Sequence, residues 1–142
     1  MKEQAAGGVI IRQGKVVVVE QMGKKEKYSG IPSYSLPKGH IDEGEDVLTA
    51  CYREIYEETG LKKEDLELVK KLEAYTRPDG NTGVPKDIHM FLFKSKKKEL
   101  HPIDKENPAA QWIDINKVAD KLTFKEDKEF FLRNMEIFIN QR

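Results

Sequence analysis

Several features are scarce in this sequence, and each scarcity excludes something. There is one cysteine, Cys51, among 142 residues, so no internal disulfide can form. A chain that relies on no disulfide fits the reducing cytosol, and a cytoplasmic location is expected. Net charge is also missing: 25 Lys and Arg balance 25 Asp and Glu. Broad nucleic-acid binding needs a surplus of cations to replace counterions, so a nucleic-acid partner is not expected. A local basic pocket for a phosphate remains compatible with the balance. No apolar run approaches the roughly 18 residues of a membrane span. The opening Met1-Lys2-Glu3-Gln4 leads into a short apolar run that does not read as a signal peptide. No repeat and no low-complexity linker divides the chain. Its length suits one domain over residues 1–142 with one core between packed layers.

What is present is a strand-rich pattern interrupted by helices. Ala5 to Ile11 and Val16 to Val19 are small or β-branched, with a turn at Arg12-Gln13-Gly14-Lys15, and predict a hairpin. Gly23 to Ser33 predicts a loop, Tyr34-Ser35-Leu36 a short strand, and Pro37 to Glu45 a second loop. A helix is predicted from Glu45 or Asp46 to Thr59, with Gly60 as its C-terminal cap. Leu66 to Thr76 predicts one strand, and Arg77 to Pro85 a turn-rich loop. Asp87 to Lys94 is apolar on both faces and predicts a central strand. Ala110 to Ile113 predicts a strand, Asn116 to Lys121 a short helix, and Phe124 to Ile139 one terminal amphipathic helix. This order predicts an α/β fold, a mixed β-sheet between helices in an α/β/α sandwich.

The chemistry concentrates between Gly39 and Leu61. Glu54, Glu57 and Glu58 stand at i, i+3 and i+4, so all three project from one face of the predicted helix. Three close carboxylates repel each other, and a cation relieves that repulsion. Oxygen ligands select hard ions such as Mg²⁺, Mn²⁺ or Ca²⁺. A solvated acidic face is the plain alternative. Leu48, Cys51, Ile55 and Thr59 form a separate stripe that can anchor the helix and leave the acids at a cleft edge. Arg53, four residues before Glu57, can pair with it and hold its rotamer.

This segment resembles the signature of the Nudix hydrolases. That signature is Gly, five residues, Glu, seven residues, Arg-Glu, an aliphatic, any residue, Glu-Glu, any residue, Gly, an aliphatic. Here Gly39, Glu45, Arg53-Glu54-Ile55, Glu57-Glu58 and Gly60-Leu61 fill every specified position. The resemblance implies the Nudix α/β/α sandwich and hydrolysis of a diphosphate linkage with Mg²⁺ or Mn²⁺. It makes Glu54, Glu57 and Glu58 metal ligands, joined by the backbone carbonyl of Gly39. It makes Arg53 an orienting residue and Glu45 structural or an outer contact. The catalytic group is then Arg53, Glu54 and Glu57, with a general base either in the box or in a later loop. Glu106 is the candidate outside the box, with Glu99 and Asp104 as rivals.

The run Leu36-Pro37-Lys38-Gly39-His40 is similar to the Nudix branch that cleaves dinucleoside polyphosphates, and it also occurs in some ADP-ribose and nucleoside triphosphate hydrolases. Lys38 is therefore expected beside the metal site, on a phosphate. Arg12, Arg77 and Lys86 are further candidates for phosphate, and Tyr34, Tyr75 and His89 for a base. Pro78, 17 residues past Leu61, is the feature that points toward ADP-ribose. The expected substrate is a nucleotide-type small molecule, with diadenosine polyphosphate favoured. The alternatives are ADP-ribose, a nucleoside triphosphate, a nucleotide sensor that does not cleave, and an RNA 5′-end pyrophosphohydrolase, which the neutral charge disfavours. The chain is expected as a monomer or homodimer.

Overall fold

The computed structural model describes residues 2–22, 31–79, 82–103 and 109–141. The first strand, β1 (Glu3–Arg12), pairs with β2 (Lys15–Met22) only at its end, through Ile11–Val16 and Arg12–Lys15. Gln13 and Gly14 make the turn, both with positive φ (49° and 76°). Beyond that turn the two strands part, and the chain that follows fills the gap. β3 (Pro32–Ser35) pairs antiparallel with β2, and β4 (Lys38–His40) pairs antiparallel with β1. The predicted loop from Pro37 to Glu45 thus contains a strand. Three residues, one of them glycine, are too few to show a strand period in sequence.

On its other edge β1 runs parallel to β7 (Pro85–Ser95) from Glu3–Lys86 to Ile11–Lys94. β7 is central, as its two apolar faces predict. Its far edge takes β5 (Leu66–Lys71) and then β6 (Tyr75–Pro78). The predicted single strand from Leu66 to Thr76 is therefore two, separated at residues 72–74. β8 (Ala109–Asp114) closes the outer edge of β2. The sheet is mixed, with eight strands among the described residues.

Helix α1 (Val47–Thr59) covers one face of the sheet, where Ala50, Cys51 and Ile55 meet Ala6, Ile10, Val17, Phe91 and Phe93. Small residues in β1 permit the close approach. A side chain at Gly8 would press on Ile55 and Phe93, and the Cys51 thiol reaches the Gly7 carbonyl at 3.2 Å. The other face carries α2 (Val118–Lys121), α3 (Lys125–Arg133) and α4 (Met135–Ile139), whose Phe130, Phe131 and Phe138 pack on Val9, Ile88, Met90 and Leu92. Each such fully buried side chain contributes about 1.5–3 kcal/mol. This is the expected α/β/α sandwich. The predicted terminal helix is broken at Asn134, which has φ −104° and ψ 7° and donates its side-chain amide to the Phe130 carbonyl. Asn competes with helical backbone bonding in this way.

Candidate active site

Helix α1 is fixed at both ends. The Asp46 carboxylate accepts from the Thr49 amide at 2.8 Å and the Thr49 hydroxyl at 3.0 Å. Gly60 closes the helix in the left-handed region (φ 80°), with its amide on the Tyr56 carbonyl. The carbonyls of Glu57 and Thr59 accept from the amides of Ile103 and His101. The chain leading toward Glu106 is thereby tied to the turn that holds Glu57. Glu106 and Asp104 themselves lie outside the described residues, and Glu99 is exposed.

Arg53 organises the acidic face. Its Nε and Nη2 hold both oxygens of Glu45 at 2.7 and 2.9 Å, a bidentate pair. Its Nη1 reaches Glu54 at 2.8 Å and Glu57 at 3.3 Å, and Nη2 also donates to the His40 carbonyl. The pairing with Glu57 expected from spacing exists, but it is the longer contact. Glu45, eight residues earlier, takes the shorter bonds, because the loop before the helix folds back on it. The guanidinium holds the Glu45 carboxyl down at about 2. Glu54 is raised, chiefly by burial, with Glu57 and Asp42 adding repulsion against the pull of Arg53.

The third acid differs from the other two. Glu58 is buried at 5% exposure, and its oxygens accept from the Lys38 amide at 3.2 Å and the Gln21 side chain at 3.1 Å. Glu54 and Glu57 thus share the Arg53 Nη1 donor, while Glu58 takes separate donors. Gly39 lies against Glu54, and any side chain at position 39 would overlap that carboxylate. Glu54 lies at Gly39 and Glu58 at the preceding amide, but the ligand atoms of Glu54, Glu57 and Glu58 do not lie within mutual ligand reach. Their oxygens suit a hard divalent cation, which would offset the partial burial of Glu54 beside Glu57, and the three carboxylates would have to draw together to share it.

Strand β4 alternates between faces. Gly39 turns to the α1 side, while Lys38 turns to α3. There the Lys38 ammonium is buried, 3.5 Å from Asp127. From the sequence Lys38 is expected beside the metal site on a phosphate; its amide does meet Glu58 there, but its ammonium lies on the α3 side. Burial lowers its pKa to about 8, with Asp127 opposing and Arg77 and Lys86 assisting. Arg77 and Lys86 are cross-strand partners on β6 and β7, and both are more than nine-tenths buried. The Arg77 guanidinium stacks 4.0 Å from the Phe124 ring. Tyr75 packs on Phe130 and donates its hydroxyl to Asp127 at 2.5 Å.

The chain matches the NUDIX domain family across residues 1–134. It belongs to the Nudix family. Nudix hydrolases generally depend on a divalent metal. This Nudix chain is 29% identical over 132 residues to the putative mutator protein MutT4 of Mycobacterium tuberculosis, a match over 89% of the chain and 52% of that protein. The chain thus spans about half the length of that relative. It is 27% identical over 126 residues to the RNA pyrophosphohydrolase of Pelagibacter ubique, covering 79% of the chain and 75% of that protein. The fold superposes on a C. elegans Ap4A hydrolase binary complex with TM-score 0.80, at 22% identity over 99% of both chains.

The Nudix fold brings Lys38, Arg77 and Lys86 together and leaves Arg12 out. Arg12 sits at the opposite end of β1, with its guanidinium at the Ser95 carbonyl. Tyr34 is half-buried on β3, with the Lys121 ammonium 4.0 Å over its ring and its hydroxyl on Glu20. His89 turns to the α1 face and meets Gln4 at 2.7 Å. Pro78 ends β6. Sequence reasoning missed Asp127, which reads as an ordinary charge in a charged helix. It lies on the helix face shared with Phe130 and Phe131, and that spacing was the available signal. It also missed Glu3, His40 and Asp79, the one group of three His, Cys or acidic side chains within mutual ligand reach among the described residues. The Lys86 ammonium lies 3.3 Å from the same Asp79 oxygen that faces His40, so a cation already occupies this patch as an ion pair. No helix among the described residues is long and apolar enough to cross a membrane.

Proposed function

We propose that the chain, acting as one domain over residues 1–142, hydrolyses a diphosphate linkage in a nucleoside polyphosphate, with a diadenosine polyphosphate as favoured substrate. One observation carries this reading. Strand β4 presents Gly39 to the acids of α1 on one face and buries Lys38 among Arg77 and Lys86 on the other. A substrate with several consecutive phosphates can engage both groups.

Glu54, Glu57 and Glu58, with the Gly39 carbonyl, would hold Mg²⁺ or Mn²⁺, which when bound neutralises phosphate charge and makes water a nucleophile near neutral pH. Arg53 keeps Glu54 and Glu57 in fixed rotamers and is itself fixed by Glu45. A glutamate accepts the proton of the attacking water. Glu54, Glu57 and Glu106 are the candidates, and the anchoring of His101 and Ile103 to α1 supports Glu106. The water oxygen bonds to one phosphorus, the bridging P–O bond breaks, and the leaving phosphate keeps the electron pair. Lys38, Arg77 and Lys86 bind the rest of the polyphosphate chain. Tyr34 is the candidate contact for a base, which would have to displace the Lys121 ammonium that covers its ring.

A second reading is an RNA 5′-end pyrophosphohydrolase, favoured by the Pelagibacter relative. The balanced charge of the chain opposes it. The deciding experiment is a hydrolysis panel with Mg²⁺ or Mn²⁺ containing diadenosine tetraphosphate, ADP-ribose, nucleoside triphosphates and 5′-triphosphorylated RNA. Preferred cleavage of the diadenosine compound supports the proposal. Preference for RNA or ADP-ribose overturns the substrate, and tight nucleotide binding without turnover of any compound overturns the catalytic reading.

A further inference from the structure

Asp127 is fully buried on α3 and belongs to no part of the box. Its one carboxylate meets three side chains from two strands that are not neighbours. Oδ1 accepts from the Tyr75 hydroxyl and lies 3.5 Å from Arg77 Nε, and Oδ2 lies 3.5 Å from Lys38 Nζ. A buried carboxylate between two buried cations leaves the trio one positive charge in excess. Nor does it satisfy their donors: Arg77 Nε and Nη1 are buried and without a hydrogen-bond partner. Buried unsatisfied donors are rare and costly, and one explanation for them is a ligand. Two cations converging from β4 and β6, with a buried Arg77 Nη1 that has no hydrogen-bond partner, fit the oxygens of a phosphate.

We propose that Asp127 is a positioning residue that holds Lys38 and Arg77 as a two-cation clamp on a substrate phosphate, with the Tyr75 hydroxyl aiming its carboxylate. The proposal rests on the reading that the polyphosphate chain crosses the α3 face. A merely structural Asp127 would tie α3 to the sheet and act on stability alone.

The test is binding of inorganic tripolyphosphate to the whole chain by calorimetry without added metal, so it is independent of turnover. Asp127→Asn keeps the size and an acceptor for Tyr75 but removes the charge. The expected result is binding at least tenfold weaker than wild type in a folded variant. In steady-state hydrolysis of diadenosine tetraphosphate, KM should rise with kcat little changed. Coupling separates the two roles: Asp127→Asn should cost clearly less binding in an Arg77→Gln background than in wild type, because the residue acts through Arg77 as well as Lys38. Additive losses, equal binding by wild type and Asp127→Asn, or no binding by wild type would each overturn the clamp. If Asp127→Asn does not fold, Tyr75→Phe replaces it, with binding several-fold weaker expected and unchanged binding overturning the idea. If wild type binds tripolyphosphate but cleaves no diadenosine polyphosphate, the substrate reading fails and the clamp stands.

Discussion

At the scale of single residues, the acids of α1 differ in environment although sequence makes them alike. Glu58 is buried on two neutral donors, Glu54 is partly buried beside Arg53, and Glu57 is the more exposed of the two box glutamates on α1 that Arg53 pairs with. Glu57 makes only the longer contacts to Arg53, so its loss should leave the fold standing. Glu57→Gln is expected to lower kcat by orders of magnitude while the melting curve hardly moves. Full activity of that variant with Mg²⁺ would remove Glu57 from the site. Glu45 calls for a different measurement. Its carboxyl, held at about 2 by Arg53, sits below its unfolded value near 4.3. A depressed carboxyl stabilises the fold above the unfolded value, and that stabilisation fades as pH falls toward 2. Wild type should therefore melt higher than Glu45→Gln at pH 6, and the gap should close as the pH approaches 2. A gap of constant width across that range would mean that the ion pair contributes nothing to stability.

At the scale of elements, the sequence announced those with long periods or strong punctuation. Asp46, Gly60 and the apolar stripe between them marked α1 almost to the residue. The doubly apolar run marked β7 as interior. Short elements stayed hidden for physical reasons. β4 consists of Lys38, Gly39 and His40, and its strand character comes from pairing with β1, a long-range contact that no local pattern records. The break between β5 and β6 is equally tertiary, whereas the break at Asn134 is local, made by its side-chain amide on the Phe130 carbonyl four residues back. The burial of Lys38 was illegible too, since its partner Asp127 lies 89 residues away. The acids of the site could be read as a group because they share one helix, whereas Lys38, Arg77 and Lys86 were legible only singly, as phosphate candidates, because they come from three strands. The strand that joins both groups gives a sharp prediction. At Gly39→Ala the new methyl would meet the Glu54 carboxylate, so activity should fall at least tenfold while the α1 core persists. Near-native kcat would mean that Glu54 has room to move and that its position against β4 does not matter.

At the scale of the molecule, the two faces of the sheet divide the labour, with anions on the α1 side and surplus cations on the α3 side. That separation has a thermodynamic consequence. A ligand that binds only the folded state raises its stability, by about 2.7 kcal/mol at a concentration one hundred times Kd. For a chain of this size that corresponds to roughly 5–10 °C in melting temperature. Mg²⁺ or Mn²⁺ is therefore expected to raise the melting temperature of wild type, and Glu54→Gln should lose most of the rise. The chain also contains a second oxygen-rich group, Glu3 and Asp79 around His40, that could produce a shift of its own. Its Asp79 oxygen already faces the Lys86 ammonium, and a divalent ion placed there would be repelled by that charge. Asp79→Asn should accordingly keep the metal-induced rise that Glu54→Gln loses. The reverse pattern would move the cation to the α3 face and take the box glutamates out of metal binding.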